Sequence, residues 1–301
     1  MQKNVLIAGG SGLVGKRLSE LLSEKGYTVA WLSRRANKSG RFPAYRWDLE
    51  SGFIEEEAIK NADFVINLAG TPIADKPWTA RRKQEIIESR TKSIRLLNQY
   101  FEKVKFPKVY CSATAIGIYG DRGDELIDET TPPGTKGFLP ESCIAWEKAY
   151  QEVNSPDLRS VALRVGIVLS EKGGALEKIA MPFNFFVAGW LGSGKQWYSW
   201  IHIDDMCQMF IHAIENDQVK GIYNAVAPNP VTNKNLVRTI KKVLRKPAIM
   251  APVPEFALRA TMGEMADMVL DSSKISSRKI EETGFNFQFP ELEGALEDLL
   301  R

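Results

Sequence analysis

The chain has 301 residues, 44% of them apolar, enough to bury a substantial core in one large domain or two unequal ones. Its 40 basic and 37 acidic residues leave a formal charge of +3, too balanced for a nucleic-acid footprint or a polybasic membrane patch, so a small molecule is the expected ligand. Cys111, Cys143 and Cys207 are odd in number and far apart, and His202 and His212 add no paired ligand spacing, which argues against a structural metal and favours a reducing compartment.

The N-terminal "MQKNVLIAGGSG" has an apolar run of only Val5 to Ala8, too short for a signal-peptide core, and nothing later approaches the ~18 apolar residues a membrane span needs. A cytoplasmic protein is expected. Val5 to Ala8 reads as a strand and runs into "GGSGLVGKRLSELL", where Gly10, Gly12 and Gly15 fit G-x-G-x-x-G and Gly9, Gly12 and Gly15 equally fit G-x-x-G-x-x-G. Such a turn takes unusual dihedrals, and a β-carbon in it would keep a pyrophosphate from the free N–H groups that open the next helix. Leu13, Leu18, Leu21 and Leu22 give that helix an apolar face, so strand, turn and helix come in the order of a dinucleotide site.

The next strand, "YTVAWLS", ends in Ser33-Arg34-Arg35, where an NAD enzyme would present a carboxylate to the ribose 2′-hydroxyl. Positive charge and hydroxyl donors suit a 2′-phosphate, so NADP(H) is the expected cofactor. "DFVINLAG", "PKVYCSA" and "RSVALRVGIVL" follow as further β-branched runs, each succeeded by a helix-like segment or loop. This alternation predicts an α/β fold, a Rossmann-like doubly wound parallel sheet with a small C-terminal substrate-side lobe.

The basic run "DKPWTARRKQE" offers Trp78, Arg81, Arg82 and Lys83 as a clamp for an anionic substrate, since cations at a helix start oppose its dipole. After Leu169 the rhythm changes to Gly-rich and aromatic loops, which places an NADP(H)-binding domain over 1–169, with some later segments returning to it, and the lobe over 170–301. Within the lobe, "MPFNFFVAGW" reads as core or as an apolar wall or lid, Trp197, Tyr198, Trp200 and His202, approaching Asp204 and Asp205, read as packing or as part of a substrate pocket, and "KPAIMAPVPEF" reads as a turn between helices.

"GGSGLVG", "RWDL", "NLAG", "SATAIGIYGD" and "LRVGIVL" resemble the extended short-chain dehydrogenase/reductases of the sugar-nucleotide epimerase and dehydratase type. End to end, the chain more closely resembles an atypical branch called epimerase-family proteins, through "SRT", an acid-ended "CxxWE", "GSGKQWYSWIHIDD", "NAVAPNPVTN" and "GFNFQFPELEGAL". The resemblance implies NADP(H) in a Rossmann-like domain and a C-terminal domain of unknown function over about 248–298. It implies that Gly9, Ser11, Gly12, Leu13 and Val14, with Gly15, wrap the pyrophosphate, and that Ser33 and Arg34, with Arg35, take the 2′-phosphate. Asp48 and Leu49 would lie by the adenine, and Leu68 and Ala69, with Gly70, under the ribose and diphosphate. Glu85 and Arg90 would border the cofactor, and Val168 would sit near the nicotinamide.

One departure bears on catalysis. The superfamily's Tyr-x-x-x-Lys pair, in which the lysine lowers the tyrosine's pKa, aligns with Cys143 and Glu147 of "SCIAWEK". Lys148 is one residue late, ~100° around the helix. A neighbouring carboxylate disfavours a Cys143 thiolate, so Glu147 is the better acid/base candidate of the two. On the preceding strand, Thr114 best matches the hydroxyl that orients a substrate carbonyl, Ser112 remains an alternative, and Tyr119 is the nearest phenol. The expected function is an oxidoreductase or epimerase-like enzyme on a small carbonyl or sugar-nucleotide-like substrate. The rival is a non-catalytic NADP(H)-binding redox sensor or partner-binding protein, and superfamily analogy suggests a homodimer.

Overall fold

Val5 to Ala8 have no polar face to offer water, and β1 (Asn4–Ala8) accordingly runs through the middle of a sheet covered on both sides. The structure is a computed structural model that describes residues 3–301. From β1 the chain passes through α1 (Leu13–Glu24), β2 (Thr28–Ser33), β3 (Ala44–Asp48), β4 (Phe53–Ile54), α2 (Glu56–Asn61), β5 (Phe64–Asn67), α3 (Ala80–Lys103) and β6 (Val109–Ala115). A 3-10 turn over Ile116–Tyr119 leads to β7 (Leu126–Ile127), α4 (Phe138–Gln151), β8 (Arg159–Val165), β9 (Ile167–Leu169) and α5 (Ala175–Ala180). Next come β10 (Val187–Leu191), β11 (Trp197–Tyr198), β12 (Trp200–His202), α6 (Ile203–Glu215), β13 (Gly221–Ala225), β14 (Val231–Thr232) and α7 (Asn233–Leu244). The chain finishes with β15 (Ile249–Val253), α8 (Glu255–Met262), α9 (Asp267–Leu270), β16 (Lys274–Ile275), α10 (Arg278–Glu281) and α11 (Leu292–Leu300).

The eight-stranded sheet has the order β13-β8-β6-β5-β1-β2-β3-β4 and is parallel except where β4 turns back on β3. Strand order reverses between β1 and β5, so the loops after these two strands diverge and open a crevice at the carboxyl edge. Period-two alternation divides the core between the two faces. Val5, Ile7, Cys111 and Leu163 face α1 and α6, while Leu6, Ala8 and Tyr110 face α3 and α4. The same parity turns Ser112, Thr114 and Arg164 toward α4. Arg17 of α1 makes a bidentate pair with Asp204 of α6, both bonds 2.7 Å, and fastens the helices on the first face.

Three sequence expectations for the later half change. "KPAIMAPVPEF" is not simply a turn: Ile249–Val253 pairs in parallel with Val187–Leu191, and Pro252 sits in this two-stranded sheet, where an outer edge needs no donor. "MPFNFFVAGW" buries Phe183 and Ala188, yet Phe185 and Phe186 are 73% and 57% exposed, so it is mostly surface rather than lobe core. "RSVALRVGIVL" breaks at Gly166, where a β-carbon would lie 2.5 Å from the Ser199 carbonyl oxygen; β8 stays in the main sheet and β9 leaves to pair with β12. The main sheet also extends past residue 169, since β13 forms its edge. No helix among the described residues is long and apolar enough to cross a membrane.

Candidate functional site

The turn after β1 is shaped by three glycines with separate jobs. Gly9 has φ of 83°, and a β-carbon there would come within 2.8 Å of the Leu68 carbonyl. Gly12 caps α1 without any side chain over the cap, and the first helical turn carries no acid. Gly15 lies against the turn so closely that a β-carbon would be 2.4 Å from the Gly9 oxygen. Gly10 serves packing instead, since its missing β-carbon makes room for the Trp31 ring. Of the two glycine registers, 9-12-15 is therefore the one that builds the cradle. Ser11 and Gly12 are exposed, Leu13 and Val14 half-buried, and the free N–H groups at the start of α1 are a ready site for an anion.

Around this cradle the strand ends supply the other expected positions. Ser33 ends β2, and its hydroxyl oxygen accepts a long 3.4 Å bond from the Arg35 N–H. Arg34 and Arg35 are exposed, and neither pairs with a carboxylate among the described residues. Asp48 and Leu49 follow at the end of β3, where hydrogen bonds from Ser51 and from the Glu50 N–H hold the Asp48 carboxyl below its ordinary range. Leu68, Ala69 and Gly70 leave β5 opposite Gly9, and the buried Asn67 amide oxygen fixes their path by accepting from the Ala69 N–H at 3.1 Å. Val168 is half-buried in β9.

Glu85 and Arg90 share α3 but differ in environment. Glu85 is occupied by Arg81 and Arg82 at 3.1 Å each. Arg90 pairs with no carboxylate among the described residues: it donates to the Thr71 and Ile86 carbonyls, stacks over Trp146 at 4.9 Å, and burial lowers its pKa. The missing side chain of Gly70 leaves room for its guanidinium.

Arg90, Trp146 and Cys143 line one side of a cleft of about 220 Å³. Ala115 at the end of β6 and Ile116 and Gly117 after it add a further part of the lining; Trp197, Tyr198 and Ser199 come from the lobe, and Met268, Asp271 and Ser273 from the C-terminal segment. Cys143 therefore reaches the cleft, but burial pushes its thiol up to about 12. Thr114, Ser112, Tyr119 and Glu147 are absent from the cleft wall.

These four lie behind it, three of them in a closed polar network. Arg164 of β8 donates to both Glu147 oxygens at 2.7 and 2.8 Å and to the Tyr119 hydroxyl at 2.7 Å. Tyr119 donates onward to the Asn224 amide oxygen at 2.7 Å, and Thr114 donates to Glu147 at 3.3 Å. Ser112 donates to the Ala113 carbonyl at 3.0 Å. Burial, offset in part by Arg164, pushes the Tyr119 phenol up to about 12. The expectation that Glu147 or Tyr119 carries a proton, with Thr114 or Ser112 orienting a carbonyl, does not match this geometry: strand parity aims the hydroxyls at α4, and a buried guanidinium holds both Glu147 oxygens. Arg164 and Asn224 were missed, although a lone arginine inside the apolar "VALRVGIVL" was a readable sign of a buried partner.

The basic cluster after "DKPW" is likewise not a substrate clamp. Arg82 pairs with Asp75 and Glu85 and donates to the Pro72 carbonyl, Arg81 pairs with Glu85, and Lys83 pairs with Glu264 of the C-terminal segment. Trp78 packs edge-on against Phe138 at 4.8 Å, with Met265 in the same cluster. In the lobe, His202 behaves as packing: its ring stacks on Phe289 at 3.9 Å and accepts from the Asp204 N–H, while burial lowers its pKa.

Residues 5–225 match the model of the NAD dependent epimerase/dehydratase family. The chain belongs to this family. Residues 253–299 match a domain of unknown function, DUF1731. The Bacillus subtilis epimerase family protein YfhF is 35% identical over 300 residues, covering 99% of this chain and 98% of its own. The Arabidopsis thaliana chloroplastic SDR39U1 homolog is 36% identical, covering 100% of this chain and 87% of its own. A crystal structure of human epimerase family protein SDR39U1 (isoform2) with NADPH superposes with a TM-score of 0.89 at 31% identity, covering 98% of both chains.

Proposed function

We propose that this chain is an NADP(H)-dependent oxidoreductase acting on a small carbonyl compound. The observation that carries the cofactor assignment is the acid-free N-terminus of α1 behind Gly9, Gly12 and Gly15, set beside the unpaired Arg34 and Arg35. A carboxylate at the end of β2 would repel a 2′-phosphate; two arginines and Ser33 attract one. The NADPH in the human relative's structure supports the same choice.

In this reading Gly9, Ser11, Gly12, Leu13, Val14 and Gly15 hold the pyrophosphate, and Ser33, Arg34 and Arg35 hold the 2′-phosphate. Asp48 and Leu49 border the adenine, and Leu68, Ala69 and Gly70 pass under the ribose and diphosphate. Arg90 and Val168 lie toward the nicotinamide end, and Glu85 keeps the arginines of α3 in place. When bound, the cofactor supplies or accepts a hydride. The protein orients the substrate between Ile116, Trp146 and Trp197, excludes water with the apolar wall, and fixes α4 through the Glu147–Arg164 pair. A cleft of about 220 Å³ favours a small carbonyl over a nucleotide-linked sugar.

The sensor reading rests on Cys143 and Glu147 standing where the superfamily keeps its tyrosine and lysine. Titration of the protein's tryptophan fluorescence decides the cofactor: NADPH is expected to bind about tenfold or more tighter than NADH, with Arg34→Ser/Arg35→Ser erasing the difference. Equal affinities, or no binding, refute the assignment. Binding without turnover of any carbonyl favours the sensor.

A further inference from the structure

Asp271 ends α9 and lies in the wall common to two cavities. One is the cleft beside Cys143; the other, about 420 Å³, is bordered by exposed Asp121 and Lys136 and opens a route to solvent. Nothing in the local sequence "DSSKIS" sets this aspartate apart from a surface acid.

The Trp146 indole N–H has no hydrogen-bond partner among the described residues but does not release its proton near neutral pH, and the remaining hydroxyl and indole donors of the cleft are committed. Ser142, Ser199 and Ser273 donate to the Leu139, Ser273 and Gly120 carbonyls at 2.9, 2.7 and 3.0 Å. Tyr198 donates to the Val269 carbonyl at 2.8 Å, and the Trp197 indole to Asp124 at 2.7 Å. Cys143 holds its proton to about 12. Arg90 does not release one near neutral pH. The Asp271 carboxyl accepts no hydrogen bond from the described residues; burial, then Asp267 and Asp121, push it up to about 6, against a smaller pull from Arg259.

We propose that Asp271 is the catalytic acid/base of the cleft, donating a proton to the carbonyl oxygen of the substrate, and that the C-terminal segment thereby completes the active site. This rests on the oxidoreductase reading above. Reduction of a carbonyl takes a hydride at carbon and a proton at oxygen. The reduced nicotinamide is oxidised as the carbonyl is reduced to an alcohol; the Asp271 O–H bond breaks as the alcohol O–H forms. The carboxylate regains its proton from solvent through the second cavity. In the reverse direction the carboxylate takes the alcohol proton.

The test uses the full chain saturated with NADPH and a panel of small aromatic carbonyls from 4-nitrobenzaldehyde to isatin. Because the acid form donates, wild-type kcat/KM is expected to fall about tenfold per pH unit above about 6. Asp271→Asn is expected to lower kcat about 100-fold or more, to remove that limb, and to leave NADPH affinity unchanged. Asp267→Asn removes a repelling charge and shifts the limb to lower pH, while Asp271→Glu recovers part of the rate. Independently of turnover, carboxyl carbon NMR of aspartate-labelled protein, assigned by the signal lost in Asp271→Asn, is expected to titrate near 6. A midpoint below about 4.5, the range of an ordinary aspartate, overturns the proposal. So does an Asp271→Asn enzyme with the wild-type pH profile, which leaves the oxidoreductase reading standing. NADPH binding without oxidation across the panel overturns both.

Discussion

Replacing Glu147 with glutamine separates a counter-ion from a proton carrier. Both Glu147 oxygens are held by Arg164, and the two side chains are only 6% and 7% exposed, so loss of the carboxylate charge leaves a guanidinium in a low-dielectric interior. Breaking such a buried pair from one side costs about 3–5 kcal/mol. An unfolding entropy of about 2.1 cal/mol/K per residue gives about 0.6 kcal/mol/K for a chain of 301 residues, so the melting temperature should fall by about 5–8 °C. Circular dichroism melting of the apoprotein reads this directly. Substituting Met for both Glu147 and Arg164 should recover more than half of the loss, because removing the pair together strands no charge. An E147Q protein that melts within about 2 °C of wild type while losing carbonyl reduction about 100-fold would refute the counter-ion account and make Glu147 the proton carrier.

Two further substitutions or modifications test the cradle and the thiol. Gly15→Ala would put a β-carbon 2.4 Å from the Gly9 oxygen, so the helix start must shift; NADPH affinity by fluorescence titration should drop about tenfold or more, and an unchanged affinity would separate the turn from the cofactor. Cys143 is 4% exposed with its thiol pushed up to about 12, so native protein at about pH 8 should react with iodoacetamide about 100-fold or more slowly than unfolded protein. Rapid native labelling, mapped by mass spectrometry to Cys143, would show an activated nucleophile instead.

The sheet and cradle were legible because local signals carry them. Apolar runs such as Val5–Ala8 report burial on both faces, and Gly9 and Gly15 report backbone approaches that a β-carbon would block. The inner site was less legible for two reasons. Thr114 and Glu147 were placed on the right elements, but the face each presents is set by register: parity along β6 turns Thr114 to α4, and Arg164, on the neighbouring strand, captures Glu147. Strand pairing across long separations, as between Val187–Leu191 and Ile249–Val253, leaves no mark in either segment, and the prolines in and around the second one pointed to a turn. Asp271 belongs to the same class of hidden feature, since its surroundings are assembled from Asp121, Asp267 and the cleft rather than from its neighbours in the chain.

The missing tyrosine and lysine and the presence of the C-terminal segment are best understood together. With Cys143 at the tyrosine position and Glu147 turned onto Arg164, α4 is fixed in place by charge pairing but offers the cleft no group that titrates near neutrality. Under the proposed carbonyl reduction the proton source would come from a different element, and the segment from α8 to β16 contributes Met268, Asp271 and Ser273 to the cleft wall. It is held against α3 and α4 by Met265 packing with Trp78, Ile86 and Phe138, and by the Lys83–Glu264 pair. Lys83 at the start of α3 therefore anchors the segment, while Arg81 and Arg82 are taken up by Asp75 and Glu85 rather than gripping an anion. That anchoring gives a physical reason for the short C-terminal segment to be integral to the cleft: if the segment lifts away, the cleft loses Met268, Asp271 and Ser273 at once, and with them the one carboxyl among its described lining.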